Sequence, residues 1–386
     1  MDNFLEINLQ ALADNFKKIS DFVGSDTSIM GVVKSNAYGH GLEKCALALD
    51  RVGCKWFAVT DIFEAQVLRK ILPQSAILIL GPVSRDDFSS AISGNFRLTI
   101  DSENDLEFLA GKAQIFGKRA TIHIKVNTGM NRFGCDPLKV VSLVEKAKNY
   151  SSLFVEGIYS HFYNSADHEA IEKQWKIFSE VLFDLQKKDL EIPLRHIANS
   201  DAVFLNDQVW LELIRLGLAL YGLAEQNVLA LAPVLNWKAK ILKIRGVSQG
   251  ECVSYGCDYK AKKDFVLAII GAGYADGYSR ALSGKAEVLV SGKKCKVVGR
   301  INMDYTFIDI TSAMRVSQKM SPAEGDEVIL VGRQDKEEIT VNDLARWAGT
   351  IPHEIVSRLP ESAERRLVDR QIVNRQRLNY LTNDVT

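Results

Sequence analysis

No segment of this sequence approaches the roughly 20 consecutive apolar residues that a membrane-spanning helix needs. Its first residues, Met1-Asp2-Asn3-Phe4-Leu5-Glu6, hold no basic segment followed by an apolar core, so no signal peptide is expected. An excess of one charge is also missing. The 48 Lys and Arg balance 48 Asp and Glu, and no basic cluster carries interleaved aromatics, which argues against a nucleic-acid or polyanion partner. Cysteine is scarce: the six (Cys45, Cys54, Cys135, Cys252, Cys257, Cys295) form no C-x-x-C pair. With six histidines that lack metal-ligand spacing, they lead us to expect reduced thiols rather than disulfides or a zinc site. Internal repeats and low-complexity tracts are absent as well. The expectation is a cytoplasmic, metal-free globular protein, and 386 residues leave room for two or three domains of about 100–200 residues each.

What the sequence does have is a rhythm. Short apolar runs at 29–34, 56–60, 76–80, 97–100, 121–127, 154–160, 194–199 and 211–216 alternate with helical patterns such as 42–51, 62–71, 103–113, 138–148 and 168–188. Apolar runs rich in Val, Ile and Phe read as buried strands, and their alternation with helices implies parallel strands joined by crossovers. Eight such units in about 200 residues predict an N-terminal (β/α)8 barrel, although an open doubly wound sheet gives the same alternation. Beyond Gly222 the long helices cease, and strand-like runs separated by Gly- and Asp-containing turns predict a mostly antiparallel β domain. The expected domains are 1–225 and 226–386, with a strand within 1–8 able to pack with the second. In that domain Asn342 is the expected cap of a helix over 341–348.

In a barrel, function gathers where strands end. Taking each run to its end gives Lys34, then Lys125-Val126-Asn127-Thr128-Gly129-Met130-Asn131-Arg132, then His161, Asn199-Ser200 and Arg215-Leu216-Gly217. Each has a bland reading. Lys34 could snorkel to solvent, Arg132 could be a solvated loop charge, His161 a hydrogen-bonded core histidine, and Asn199-Ser200 a helix cap. Arg215, between Ile214 and Leu216, is harder to dismiss, because a buried guanidinium needs partners. Lys125, read as lying mid-strand, is ambiguous alone. Their gathering on one rim favours a shared task. In the second domain Ser254-Tyr255-Gly256, Gly273-Tyr274-Ala275-Asp276-Gly277-Tyr278 and Asn302-Met303-Asp304 interrupt strand-like runs.

In this order, together with Val33-Lys34-Ser35-Asn36-Ala37-Tyr38-Gly39-His40-Gly41 and Ser160-His161-Phe162, these segments resemble the alanine racemase family across nearly the whole chain. The resemblance implies a barrel plus β domain, pyridoxal phosphate (PLP) as cofactor, a small amino acid as substrate, and a homodimer with shared active sites. It implies that Lys34 carries PLP and serves as one proton base, with Tyr255 of the partner as the other, assisted by His161. Arg215 would face the pyridine nitrogen, and Arg132 the cofactor phenolate and substrate carboxylate. Tyr38, Ser200, Gly217 and Leu218 would hold the phosphate, Asn199 would also bind the cofactor, and Met303 and Asp304 would approach the substrate. Lys125 matches a position that is carbamylated in some members. The implied activity, interconversion of L- and D-alanine, would feed peptidoglycan synthesis.

Two positions depart from the family pattern. A tyrosine common near the C-terminus, before Arg-Val-Pro-Arg, is replaced by about Glu361, and the residue before Met303 is Asn302 rather than a small one. Both bear on pocket size and polarity and make serine an alternative substrate. A barrel-type PLP decarboxylase is a weaker reading, since its C-terminal cysteine motif is missing and Arg215 stands where an acidic group is needed. A PLP-carrying regulatory protein resembles the barrel alone.

Overall fold

The computed structural model describes residues 2–224, 228–315 and 321–368. The expected domain boundary at 225/226 and the second domain's end, beyond 368, lie outside the described residues. The described residues fall into two compact units: those within 12–37 and 41–232, and those within 2–11, 38–40 and 233–368.

After β1 (Asn3–Ile7) and α1 (Leu9–Val23), the first unit runs through eight strands. They are β2 (Ser28–Val32), β3 (Trp56–Val59), β4 (Ala76–Ile79), β5 (Arg97–Ile100), β6 (Ala120–Lys125), β7 (Leu153–Tyr159), β8 (Leu194–His196) and β9 (Leu213–Leu216). Each corresponds to one of the apolar runs, as expected for parallel strands covered on both faces. They pair in parallel in the order β8-β7-β6-β5-β4-β3-β2-β9, a nearly closed barrel. On the remaining side, the Arg215 N–H donates to the Ala198 carbonyl at 3.0 Å, just past β8.

The intervening helices are α2 (Leu42–Arg51), α3 (Ile62–Ile71), α4 (Phe88–Ser93), α5 (Glu103–Ile115), α6 (Val140–Lys148) and α7 (His168–Lys187). Side-chain caps start several of them: Asp61 accepts from the Glu64 N–H, Ser102 from that of Asp105, and Asp167 from that of Glu169. Between β8 and β9 only short 3₁₀ turns occur, so the chain after Asn199 stays close to the strand ends.

In the second unit the 13-residue strand β10 (Leu235–Val247) alternates buried and outward residues over most of its length. Further strands are β11 (Cys252–Val253), β12 (Tyr259–Lys260), β13 (Phe265–Ile270), β14 (Glu287–Val290), β15 (Lys293–Val297), β16 (Thr306–Asp309), β17 (Glu327–Gln334), β18 (Glu337–Ile339) and β19 (Glu364–Leu367). The large sheet is antiparallel except where β1 and β19 run parallel. The first strand of the chain thus completes the sheet built by its C-terminal half. Two expectations are corrected. The helix α8 (Val341–Ala348) is capped by Thr340, which forms a reciprocal box with Asp343, and not by Asn342. Cys252 and Cys257 are joined in a disulfide, with Cα atoms 5.0 Å apart. The four residues between them form a tight turn that brings the two sulfurs together.

Candidate active site

The strand ends of the barrel gather the polar residues that the sequence singled out. Lys34 lies one residue beyond β2, after Val33, and the next four residues all adopt the left-handed conformation: Ser35 (φ 53°), Asn36 (54°), Ala37 (54°) and Tyr38 (52°). For non-glycine residues this costs about 1–2 kcal/mol each, so the surroundings must hold the turn in place. The Glu64 carboxylate accepts from the Asn36 N–H at 2.8 Å, and the Asn36 side-chain oxygen accepts from the Leu42 N–H at 2.7 Å. Burial raises the Glu64 carboxyl pKa, and the Asn36 bond works against this rise. Nothing in the sequence tied position 64 to the turn. Glu64→Ala strips a part-buried amide of its acceptor and is expected to lower stability by about 1–3 kcal/mol. Glu64→Gln keeps an acceptor and should cost less; denaturant unfolding of both variants checks the difference. The Lys34 amine itself is held below its ordinary pKa, by burial and then by the Arg132 charge.

Inside the barrel a polar chain crosses the apolar core. Arg215, 3% exposed, donates to His196 Nδ1 (2.7 Å), to the Ser160 and Ile197 carbonyls (2.6 and 3.0 Å) and to His161 Nδ1 (3.3 Å). A guanidinium can only donate, so both imidazoles accept at Nδ1 and carry their proton on Nε2. His196 Nε2–H therefore donates to His123 Nδ1 at 2.9 Å, and His123 Nε2–H to the Glu156 carboxylate at 3.2 Å. Arg97 pairs with the same carboxylate. Burial would raise the Glu156 pKa; the bonds from His123 and Arg97 outweigh it and bring it below the usual value. Gly157 makes this possible, because a Cβ there would collide with the His123 ring. Arg215 is pushed down to about 10 by burial and remains a cation near neutral pH. All its hydrogen-bond acceptors are neutral groups.

This arrangement gives a pH prediction. His123, His161 and His196 are held below their ordinary value by burial first, with the Arg215 charge adding to it. In the unfolded chain these imidazoles protonate below about pH 6.5; in the fold they resist until lower pH. Their stabilising contribution is thus complete above about 6.5 and lost as pH falls. Stability is therefore expected to fall as pH drops below about 6.5, where the unfolded chain takes up protons that the fold refuses. Urea unfolding between pH 7.5 and 5 measures it, and a flat profile contradicts the neutral chain.

Lys125 is the last residue of β6, not a mid-strand one, and it is buried. Its amine is pushed down to about 8 by burial, then by the charges of Arg132, Arg215 and Lys34. The following loop returns on itself: the Cys135 N–H bonds the Lys125 carbonyl, and Asn127 Oδ1 accepts from the Gly129 and Asn131 N–H groups. Arg132 rides on that loop. Farther along the rim, the Ser200 hydroxyl accepts from the Gly217 and Ala219 N–H groups at 2.9 and 3.2 Å. Leu218 opens the 3₁₀ turn Leu218–Tyr221, and Asn199 bonds Ser165 and the Ala202 N–H.

Tyr38, Tyr255, Met303 and Asp304 belong to the other unit. Tyr38 is buried there, 6.2 Å from the His353 ring. Tyr255 and Met303 are 70% and 54% exposed. Three loops carry the exposed group: the Tyr274 and Ala275 N–H groups bond the Asn302 and Met303 carbonyls, and the Ser254 hydroxyl bonds the Arg300 carbonyl and Asn302 Oδ1. A Cβ on Gly273 would collide with the Met303 carbonyl, so this close approach requires glycine.

A parallel barrel whose strand ends carry two lysines of lowered pKa, Arg132 and a buried Arg215 has the architecture of a barrel enzyme with a cation-rich rim. Residues 7–225 match the model of the alanine racemase N-terminal domain, and residues 234–367 that of the C-terminal domain. The chain is similar to the alanine racemases of Methylacidiphilum infernorum (39% identity, covering 92% of this chain and 90% of that one) and Desulforamulus reducens (38%, covering 92% and 97%). Its fold is similar to the crystal structure of alanine racemase from Streptomyces lavendulae, with TM-score 0.87 and 31% identity over 96% of this chain and 97% of that one. It is also similar to that of Bartonella henselae alanine racemase with covalently bound pyridoxal phosphate (TM-score 0.86, 29% identity, covering 95% and 100%). The chain belongs to the alanine racemase family, whose members are PLP-dependent isomerases.

Proposed function

We propose that this chain interconverts L- and D-alanine with PLP, and that Lys34 and Tyr255 are its two proton bases. The observation that carries the reading is the cation set at the strand ends, where Lys34, Lys125, Arg132 and Arg215 depress one another's or His161's pKa. Such a set suits a ligand that brings a phosphate, a phenolate and a carboxylate to share it. PLP together with an amino acid carries all three. Lys34, an amine that loses its proton readily, would hold the cofactor; Ser200, Gly217, Leu218 and Tyr38 would take the phosphate, and Asn199 would also bind the cofactor. Arg132 would pair with the phenolate oxygen and the substrate carboxylate.

When bound, PLP supplies an electron sink that makes the substrate α-proton removable. Inversion then requires the proton to leave one face of the α-carbon and another to arrive on the opposite face. Lys34 Nζ serves one face and Tyr255 Oη the other. To accept and return a proton, Tyr255 needs a hydrogen-bond donor beside its oxygen. His161 is suited to give one, because its Nδ1 accepts from Arg215 and its Nε2–H is left to donate. Arg215 keeps its proton, so it offers a pyridine nitrogen a hydrogen bond and no proton transfer, which limits side reactions.

Tyr255, Met303 and Asp304 would reach the site from a second copy of the chain. The exposed Tyr255, Tyr274, Met303 and Tyr305 support a partner there, since such apolar groups cluster at interfaces. Lys125, at about 8, has a neutral fraction able to add carbon dioxide, and the resulting carbamate would turn a buried cation into an anion that orients Arg132. A carbamate carbon signal in ¹³C-bicarbonate that is missing in Lys125→Arg checks this; no signal in the parent protein removes it. The D-alanine formed would serve peptidoglycan synthesis in the cytoplasm, which complementation of a D-alanine-requiring bacterium tests.

Chiral analysis of PLP-loaded protein given L-alanine or L-serine tests the activity. D-alanine in large excess over D-serine is expected. Dominant D-serine would move the substrate and point to Asn302, whose side-chain oxygen accepts the Ser254 hydroxyl, and to Glu361. Formation of neither D-alanine nor D-serine would refute the reading.

A further inference from the structure

Tyr255 sits inside a covalent ring. Cys252 and Cys257 flank Val253-Ser254-Tyr255-Gly256, and their bond closes a loop across five positions of sequence. The 5.0 Å Cα separation lies within the range that a disulfide spans without backbone movement. Both cysteines are exposed, whereas the other four are buried. Burial pushes the thiols of Cys54, Cys135 and Cys295 up to about 12, 11 and 11, so they are poor nucleophiles.

The ring holds an unfavourable backbone. Ser254 (φ 66°), Gly256 (74°) and Cys257 (53°) all lie in the left-handed region, two of them with side chains that disfavour it. Its shoulders are fixed. β11 and β12 pair Cys252 with Lys260 and Val253 with Tyr259, over a small core of Val247, Val253, Ala261, Phe265, Leu267 and Val298. On one side Ser254 bonds the Arg300 carbonyl, and on the other the Arg300 guanidinium pairs with Asp258. What the staple constrains is therefore the tip, Tyr255.

We propose that Cys252 and Cys257 form a redox modification site, addressed by a small thiol–disulfide couple, that sets how firmly the Tyr255 hydroxyl is positioned. The proposal rests on Tyr255 being a proton base. One thiolate of the reduced pair attacks a small-molecule disulfide, forms a mixed disulfide and releases one small thiol. The second thiolate attacks the mixed disulfide, forms the Cys252–Cys257 bond and releases the second small thiol. The two protein thiols are oxidised, the small disulfide takes both electrons, and the two protons leave with the released thiols. In the stapled state Tyr255 is preorganised. In the dithiol state the strained tip relaxes and the hydroxyl samples orientations that are not productive, for which a loss of roughly tenfold in turnover is expected.

The test uses the PLP-loaded holoenzyme equilibrated in glutathione buffers from fully reduced to fully oxidised. Alkylation with mass spectrometry reports the state of the pair, and racemisation is followed in both directions. The proposal predicts that kcat rises about tenfold as the pair oxidises while KM for alanine stays constant. The Cys252→Ser/Cys257→Ser variant should keep the reduced-state kcat at every buffer setting, and Cys252→Ala/Cys257→Ala should do the same. A change confined to KM or to melting temperature would mean a structural staple only and would overturn the proposal. So would a pair that changes state without changing kcat, or one that remains dithiol in every buffer. If Tyr255→Phe keeps full activity, the base assignment itself fails, and alkylation of that variant still shows whether the thiol chemistry occurs.

Discussion

Lys34→Ala is expected to abolish racemisation and the absorbance of lysine-held cofactor together. In the proposed function the amine has two tasks, holding PLP and moving a proton at the substrate α-carbon. A positioned acid–base group alone contributes about 10²–10⁴-fold, so losing both tasks places the effect at or beyond about 10⁴-fold in kcat/KM. The fold should survive, because Lys34 lies outside β2 and the turn after it is held by Glu64 and Asn36. Lys34→Arg sharpens the result. It keeps the positive charge but cannot lose its proton near neutral pH, so equal inactivity would show that the removable proton, and not the charge, is what matters. Steady-state kinetics with an absorbance spectrum of each variant decides it; a Lys34→Ala protein that stays yellow and active would contradict the assignment.

Tyr255→Phe should cripple racemisation while leaving the cofactor bound. The substitution removes one oxygen from an exposed side chain, so stability should change little. Turnover should fall by about 10²–10⁴-fold, with the L-substrate affected more. Lys34 still serves its own face, so exchange of the D-alanine α-proton with solvent should persist when racemisation is lost. That split is the signature of a missing second base, and it is read by NMR of D- and L-alanine in deuterated buffer. Unchanged turnover in both directions would mean that another group supplies the proton.

The barrel was legible because parallel strands buried on both faces leave uninterrupted apolar runs, as in β3 and β4, and because their polar ends stand out against that background. Lys34, His161 and Arg215 could be singled out for this reason. Other features lie in dimensions the periodicity does not record. The left-handed stretch at 35–38 contains no glycine, so composition gave no sign of it. Glu64 acts across 28 residues of sequence on the Asn36 amide, and its helix position looks like any first-turn carboxylate. His123 and His196 did not stand out in the sequence; Arg215, by donating, fixes which nitrogen of each ring carries the proton. The Cys252–Cys257 bond was hidden because a spacing of five resembles no redox motif; only the turn around Tyr255 brings the sulfurs together. The first strand could be placed beside the second domain from the sequence, but its register against β10, more than two hundred residues away, lies beyond local pattern.

The two-base claim is tested most directly by converting L-alanine in deuterium oxide with the PLP-loaded protein and analysing the first D-alanine formed. If Lys34 and Tyr255 serve opposite faces, the proton delivered is never the one removed, and this early D-alanine should carry solvent deuterium at the α-carbon in essentially every molecule. D-alanine that retains its original α-proton would mean that one group carries the proton across both faces, and the two-base account would be wrong.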